Sequence, residues 1–310
     1  MRVAVVDIGT NSTRLLVADV GPAGRIAELA RRTQVTRLGE GVDATGALGR
    51  AGIARVRRTL DDYSETIDGL AVDARIAVLT SAVRDSSNGE QFVQSLRERY
   101  RLDARIITGD EEAQLTFLGA MSDRRGDEQA RTLVIDVGGG STELVIGARG
   151  AVSFHVSLQL GVVRQTERHL HEDPPSAREL GALSRDVRTL IERDVPATVR
   201  SGVEAAIAVA GTATSLAAID LALEPYDSTR VHGHRLDLVT TRLLLARLAS
   251  MPLAERRETR GLHPDRAPTI IAGTAILIEV LEAFALDAFE VSEHDILRGA
   301  ALERAGAGRP

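Results

Sequence analysis

One glycine-rich stretch occurs twice in this chain. The first copy reads Val5-Val6-Asp7-Ile8-Gly9-Thr10-Asn11-Ser12-Thr13-Arg14-Leu15, and the second reads Val134-Ile135-Asp136-Val137-Gly138-Gly139-Gly140-Ser141-Thr142-Glu143-Leu144, at a constant offset of 129 residues. Asp, the first Gly, Ser, Thr and one Leu coincide, with apolar residues on both flanks. Each copy predicts a buried strand, a tight turn and a second strand. Such a turn suits a phosphate. Glycine lets the backbone approach a ligand closely, successive N–H groups line an anion-attracting concavity, and Ser and Thr hydroxyls add donors. Gly9, Thr10, Asn11 and Ser12, with Gly138, Gly139, Gly140 and Ser141, are therefore candidate phosphate ligands. Asp7 and Asp136, at equivalent strand ends, are candidate Mg²⁺ ligands, because that ion takes one or two carboxylates together with water and phosphate oxygens. A single copy reads as readily as an ordinary hairpin; two copies in register argue against coincidence.

Composition narrows the chemistry. A length of 310 residues, 44% of them hydrophobic, is enough for two domains with their own cores. No run of eighteen apolar residues predicts a membrane span. No signal peptide is visible, and the absence of cysteine excludes disulfides and thiolate sites; the expectation is a cytoplasmic protein with no membrane partner. The formal charge of −6 argues against a nucleic-acid partner. All 38 basic residues are arginine. A Walker-type lysine is thereby excluded, and a phosphate clamp must use arginine, backbone amides or metal. The arginine bias is more simply the mark of a GC-rich genome than of function.

The paired loops resemble the phosphate-binding loops of the actin, sugar kinase and heat-shock ATPase superfold. Four stretches narrow the resemblance: Asp7-Ile8-Gly9-Thr10-Asn11-Ser12, Thr80-Ser81-Ala82-Val83-Arg84, Gly109-Asp110-Glu111-Glu112-Ala113, and Asp136-Val137-Gly138-Gly139-Gly140-Ser141-Thr142-Glu143. In order and spacing they are similar to the exopolyphosphatase and guanosine pentaphosphate phosphohydrolase family, and the likeness continues to Ser292-Glu293-His294-Asp295-Ile296-Leu297-Arg298-Gly299. The resemblance implies an α/β chain of two ribonuclease-H-like domains, residues 1–123 with 296–310 and residues 124–295, with an active cleft between them. It implies a Mg²⁺-dependent hydrolase, a homodimer, that releases terminal phosphate from inorganic polyphosphate or guanosine pentaphosphate. In the family, the second glutamate of the Gly109–Ala113 motif lies across from the phosphate loops; its match is Glu112, the expected general base.

The other candidates carry alternatives. Arg84 follows the predicted strand Arg75–Leu79, and ligands collect at the C-terminal ends of such strands. It is either a phosphate clamp or a surface arginine. Asp110, Glu111 and Glu112 open a helix, where the dipole favours acids in any case. Glu143 reads as an outer-sphere metal ligand, a loop anchor or an exposed strand residue. Gly211 and Thr212 follow the predicted strand Ala205–Ala210 and resemble the superfold loop near the base or far phosphates of a nucleotide; a plain helix start is the alternative. His232 and His234 have no evident third ligand and read as loop surface. The remaining pattern predicts a short strand at Thr229–Val231, a long helix over Pro268–Phe284, a closing helix over Ile296–Arg304, a polar linker over Ser122–Arg131 and a frayed tail over Ala305–Pro310. Two other functions share the superfold. A small-molecule kinase needs an Asp poised for an acceptor hydroxyl, and no such signature is found; a catalytically weak sensor of guanosine penta- or tetraphosphate remains open.

Overall fold

The strand that carries Asp7 is buried along its whole length after Arg2, because strands pair with both its edges and helices cover both its faces. In the computed structural model, which describes residues 1–124, 130–148 and 151–306, the chain divides into two compact units. The first comprises Met1–Asp123 with His294–Pro310, and the second Arg124–Glu293. Residues 125–129 of the predicted linker and 307–310 of the predicted tail lie outside the described residues.

In the first unit β1 (Arg2–Ile8), β2 (Ser12–Val20) and β3 (Ile26–Val35) form an antiparallel meander. Then follow α1 (Arg50–Gly69), β4 (Ala74–Leu79) parallel to β1, α2 (Gly89–Tyr100), β5 (Asp103–Ile106) parallel to β4, and α3 (Gly109–Ala120). Among the described residues the sheet order is β3-β2-β1-β4-β5. Side chains alternate across a strand, so β1 feeds two cores. Ala4, Val6 and Ile8 pack with Val56 and Leu60 of α1 and with Phe92 and Leu96 of α2. Val3 and Val5 pack with Leu115 of α3 and with Ile296, Leu297 and Ala300 of the closing helix, Ile296–Arg304. That helix crosses α3 with backbones in contact. A Cβ on Gly299 would lie 1.8 Å from the Leu115 carbonyl oxygen, and one on Gly119 1.9 Å from that of Asp295. The chain re-enters the first unit at His294, two residues before the sequence-based boundary, because Asp295 pairs with Arg14 and caps the closing helix through the Leu297 N–H.

The second unit repeats the plan. β6 (Thr132–Val137), β7 (Thr142–Ala148) and β8 (Ala151–Leu158) form the meander. After α4 (Val162–His169) and α5 (Ala177–Asp194), β9 (Ala205–Val209) pairs parallel to β6 and leads into α6 (Ala210–Asp220). Next come β10 (Arg235–Asp237), α7 (Leu238–Ala249), α8 (Ile270–Ala283) and β11 (Ala288–Val291), which is parallel to β9 and antiparallel to β10. Among the described residues the order is β10-β11-β9-β6-β7-β8, the same meander and parallel pairs with one added edge strand. Both sheets are ribonuclease-H-like.

Two local expectations are corrected. Thr229–Val231 is not a strand but part of a helical turn, Ser228–Val231, because the Asp227 carboxylate accepts from the Thr229 and Arg230 N–H groups and caps it. The long helix begins at Ile270 rather than Pro268, since residues 264–266 form a separate tight turn.

The close crossing predicts that Gly299→Ala destabilises the protein by about 1–3 kcal/mol, because a backbone must move to admit one methyl group. Urea unfolding of this variant is expected to show a lower midpoint with an unchanged slope.

Candidate active site

The two loops are built by the same bonds. The Gly9 N–H donates to the Ser12 carbonyl at 3.0 Å, and the Gly138 N–H donates to the Ser141 carbonyl at 3.0 Å. In each loop the segment that follows the hairpin ties back the tip carbonyls. The Thr10 carbonyl accepts from the Gly39 N–H at 2.8 Å, and the Asn11 carbonyl accepts from Thr36 and Arg37, each at 2.9 Å. In the second unit the Gly138 and Gly139 carbonyls accept from the Val162 and Val163 N–H groups at 2.9 Å, and the Gly140 carbonyl accepts from Arg164 Nε at 3.0 Å. Gly161 permits this: a Cβ there would lie 2.1 Å from the Gly139 oxygen. Carbonyl oxygens repel an anion and amides attract it. Occupying the carbonyls leaves the tips with the electrostatics of an anion nest.

Around the first loop, Thr10 Oγ1 shares a buried hydrogen bond of 2.9 Å with Ser81 Oγ, which joins the loop to the Thr80–Arg84 motif. Arg84 Nη1 donates to Glu112 Oε2 at 3.1 Å and to the Ile107 carbonyl at 3.0 Å. Arg84 and Glu112 thus meet each other. The three acids at the start of α3 separate by geometry. Glu111 closes a capping box with Thr108, its Oε2 accepting from the Thr108 N–H at 2.8 Å and its own N–H donating to Thr108 Oγ1 at 3.1 Å. Glu112, buried to 7% exposure, turns to Arg84 instead.

The equivalent aspartates have different neighbours. Directly across from Asp7 on β2 stands Arg14; directly across from Asp136 on β7 stands Glu143. Arg14 Nε donates to Asp7 Oδ2 at 2.8 Å, and its other end pairs with Asp295. Asp7 Oδ1 is buried with no hydrogen-bond partner. Burial pushes the Asp7 carboxyl above the usual carboxylate range, and Arg14 opposes the shift. In the second unit two buried acids sit side by side, with Glu143 Oε1 accepting from Ser157 Oγ at 2.8 Å. Like charges facing each other across a strand pair repel, so this pair suits a metal cation, whereas Asp7 already faces the Arg14 guanidinium. The two aspartates are not equivalent in their surroundings.

Gly211 and Thr212 lie in the first turn of α6, after Ala210, which adopts a left-handed φ of 64°. The Arg266 guanidinium lies on Gly211, where a Cβ would fall 1.3 Å from Nη1. Thr212 meets Val162 over Gly273 of α8: a Cβ on Gly273 would be 2.4 Å from Thr212 Oγ1 and 2.9 Å from Val162 Cγ1. Val162 in turn holds the Gly138 carbonyl, so Thr212 packs behind the second loop. The histidines have structural partners. His232 Nδ1 accepts from the Glu293 N–H at 3.2 Å, and His234 Nε2 lies 2.8 Å from an Asp220 carboxylate oxygen. Sequence reasoning did not single out Arg14, Asp295 or Arg266. For Arg14 a signal was available: under the 129-residue offset it aligns with Glu143.

Arg14→Met is expected to destabilise the protein by about 3–5 kcal/mol, since it strands Asp7 and Asp295 as buried acids without their cation. A raised carboxyl pKa means that protonation favours the folded state. The loss should therefore shrink as pH falls from neutral to mildly acidic, and Asp7→Asn in the same background should recover part of it. Urea unfolding of the single and double variants across pH measures both effects.

Comparison with known proteins identifies the family. Residues 16–304 match the model of the Ppx/GppA phosphatase family. Exopolyphosphatase 2 of Mycobacterium tuberculosis is 38% identical over 98% of this chain and 99% of its own. The crystal structure of the Aquifex aeolicus member of the Ppx/GppA family superposes with a TM-score of 0.83 at 30% identity, covering 100% of this chain and 99% of that one. An exopolyphosphatase from Cytophaga hutchinsonii superposes with a TM-score of 0.89 at 25% identity, covering 99% and 98%. The fold is that of the actin-like ATPases, and the chain belongs to the Ppx/GppA phosphatase family.

Proposed function

We propose that this protein removes terminal phosphate from inorganic polyphosphate by Mg²⁺-dependent hydrolysis. The observation that carries the reading is the loop built twice with its carbonyls held from behind. Its surroundings supply two different functions: an acid pair, Asp136 and Glu143, in one unit, and the Arg84–Glu112 pair in the other. The name of the Mycobacterium tuberculosis relative supports the choice of substrate.

In this reading, the amides of Thr10–Ser12 and Gly139–Ser141 neutralise phosphate oxygens, which is the main catalytic need of phosphoryl transfer, while the Gly9 and Gly138 N–H groups, expected as phosphate donors, close the turns instead. Asp136 and Glu143 hold Mg²⁺, directly or through water. The ion, when bound, offsets charge on the phosphate oxygens. Asp7 serves the first loop as a structural acid, neutralised by Arg14, rather than as a metal ligand. Arg84 binds phosphate and releases Glu112 from their ion pair as it does so. Glu112, with its carboxylate freed, orients the attacking water and accepts its proton. Arg266, which lies on Gly211, adds a donor, and Thr212 supports the second loop from behind. Guanosine pentaphosphate ends in the same phosphoanhydride and belongs in the assay as a competing substrate.

The test is phosphate release from long-chain polyphosphate, guanosine pentaphosphate and ATP, with and without Mg²⁺. Release from polyphosphate only with Mg²⁺ supports the reading; transfer from ATP to a small acceptor, or tight binding with no release, overturns it. Glu112→Gln is expected to lower kcat by about 10²–10⁴-fold with little change in KM. Glu143→Gln should raise the Mg²⁺ concentration needed for half-maximal rate, and Asp7→Asn should leave that concentration unchanged.

A further inference from the structure

Two helical faces in the first unit meet imperfectly. Arg50, Ile53, Ala54, Arg57, Arg58 and Asp61 fall at i, i+3, i+4, i+7, i+8 and i+11 along α1, so they form one stripe. Asn88, Gln91, Phe92 and Ser95 form the facing stripe at the start of α2. Between packed helices such stripes are ordinarily apolar. Here they hold a groove of about 580 Å³, in the size range of ligand sites. Its floor is Ile53 and the buried ring of Phe92; its rim carries three exposed arginines.

The charge in this groove is unbalanced. Its acid, Asp61, is already engaged: Arg99 Nη2 donates to both its oxygens at 3.0 and 3.3 Å, and the Tyr100 hydroxyl donates to one at 3.0 Å. Among the described residues, Arg50, Arg57 and Arg58 pair with no carboxylate, and Arg57 reaches only Ser95 Oγ at 3.5 Å. Arg50 is also the first residue of α1, where the helix dipole disfavours a cation. A locally unfavourable choice beside an apolar floor points to an anion that offsets it.

The helices that form the groove are tied to the segment that backs the first phosphate loop. Asn88, four residues beyond Arg84, holds the Leu48 N–H and carbonyl at 2.8 and 3.1 Å and so fixes the entry to α1. Gly52 packs on Leu38, and the neighbouring Gly39 packs on Thr10 of the loop, where a Cβ would lie 2.2 Å from the Thr10 methyl carbon.

We propose that the groove between α1 and α2 is an accessory subsite for the body of a long inorganic polyphosphate chain, gripped by Arg50, Arg57 and Arg58 beyond the site where its end is hydrolysed. The inference rests on the polyphosphate reading above. It makes affinity depend on chain length: a long chain reaches the groove, and tripolyphosphate does not.

The experiment compares the wild type with an Arg50→Gln/Arg57→Gln/Arg58→Gln variant and with a charge-matched control, Arg178→Gln/Arg185→Gln/Arg247→Gln, on exposed faces of α5 and α7. For the groove variant, KM for long-chain polyphosphate is expected to rise about tenfold or more, with kcat and the KM for tripolyphosphate unchanged and the control like wild type. Direct binding of long-chain polyphosphate in EDTA should weaken in parallel. Its slope of log affinity against log salt should fall by about two, as expected for three lost phosphate contacts. Equal effects on both chain lengths, no effect on either, or the same effect in the control overturns the subsite. Should the wild type hydrolyse no polyphosphate, the functional reading fails. The binding arm then still decides the groove: selective loss of long-chain binding in the groove variant supports it, and unchanged binding overturns it.

Discussion

The structure depends on how the tips of two hairpins are held. A turn rich in glycine is free to present either carbonyls or amides, and only the amides attract an anion. In both units the chain resolves this by returning behind the loop and taking the carbonyls into hydrogen bonds, from Thr36, Arg37 and Gly39 in one unit and from the first turn of α4 in the other. A buried backbone polar group must be paired in any case. The pairing chosen here also sets the polarity of the loop. Much of the surrounding packing serves that arrangement: Gly161 for close approach, Gly39 for contact with Thr10, and Thr212 and Gly273 behind Val162.

Among the differences between the duplicated loops, one changes the charge. Across from the conserved-register aspartate stands an arginine in the first unit and a glutamate in the second. The exchange changes the local charge. Arg14 pairs with Asp7 and ties it to Asp295, one cation shared by two buried acids. Asp136 and Glu143 instead set two buried acids opposite each other on one strand pair. The same strand–turn–strand plan thus places a basic residue across from one aspartate and a second acid across from the other.

What was legible in the sequence followed from local pattern. The strand–turn–strand repeats, the period of α1 and the buried run of β9 each carry their own signal. Three kinds of feature do not. β10 is three residues long, too short to show alternation. The turn at Ser228–Val231 is decided by one capping carboxylate, Asp227, against a β-branched composition that favours a strand. The site partnerships are long-range: Arg14 meets Asp295 across 281 residues of chain, and Arg266 reaches Gly211 from a separate tight turn. Glu111 and Glu112 are adjacent acids in one helical turn, and only the cap separates the one that closes a backbone from the one that faces Arg84.

The closing helix has a consequence for biosynthesis. Its apolar side, Ile296, Leu297, Ala300 and Ala301, covers one face of the first sheet, and Asp295 completes the charge network under the first loop. Those residues leave the ribosome only after the whole second unit. Until they do, Val3, Val5 and Leu16 have an unfinished cover and Arg14 lacks one of its two acids. The first unit is therefore completed only after the second has been made, and nascent chains carry an exposed apolar sheet face throughout synthesis of the second unit, the interval in which a chaperone has most to protect.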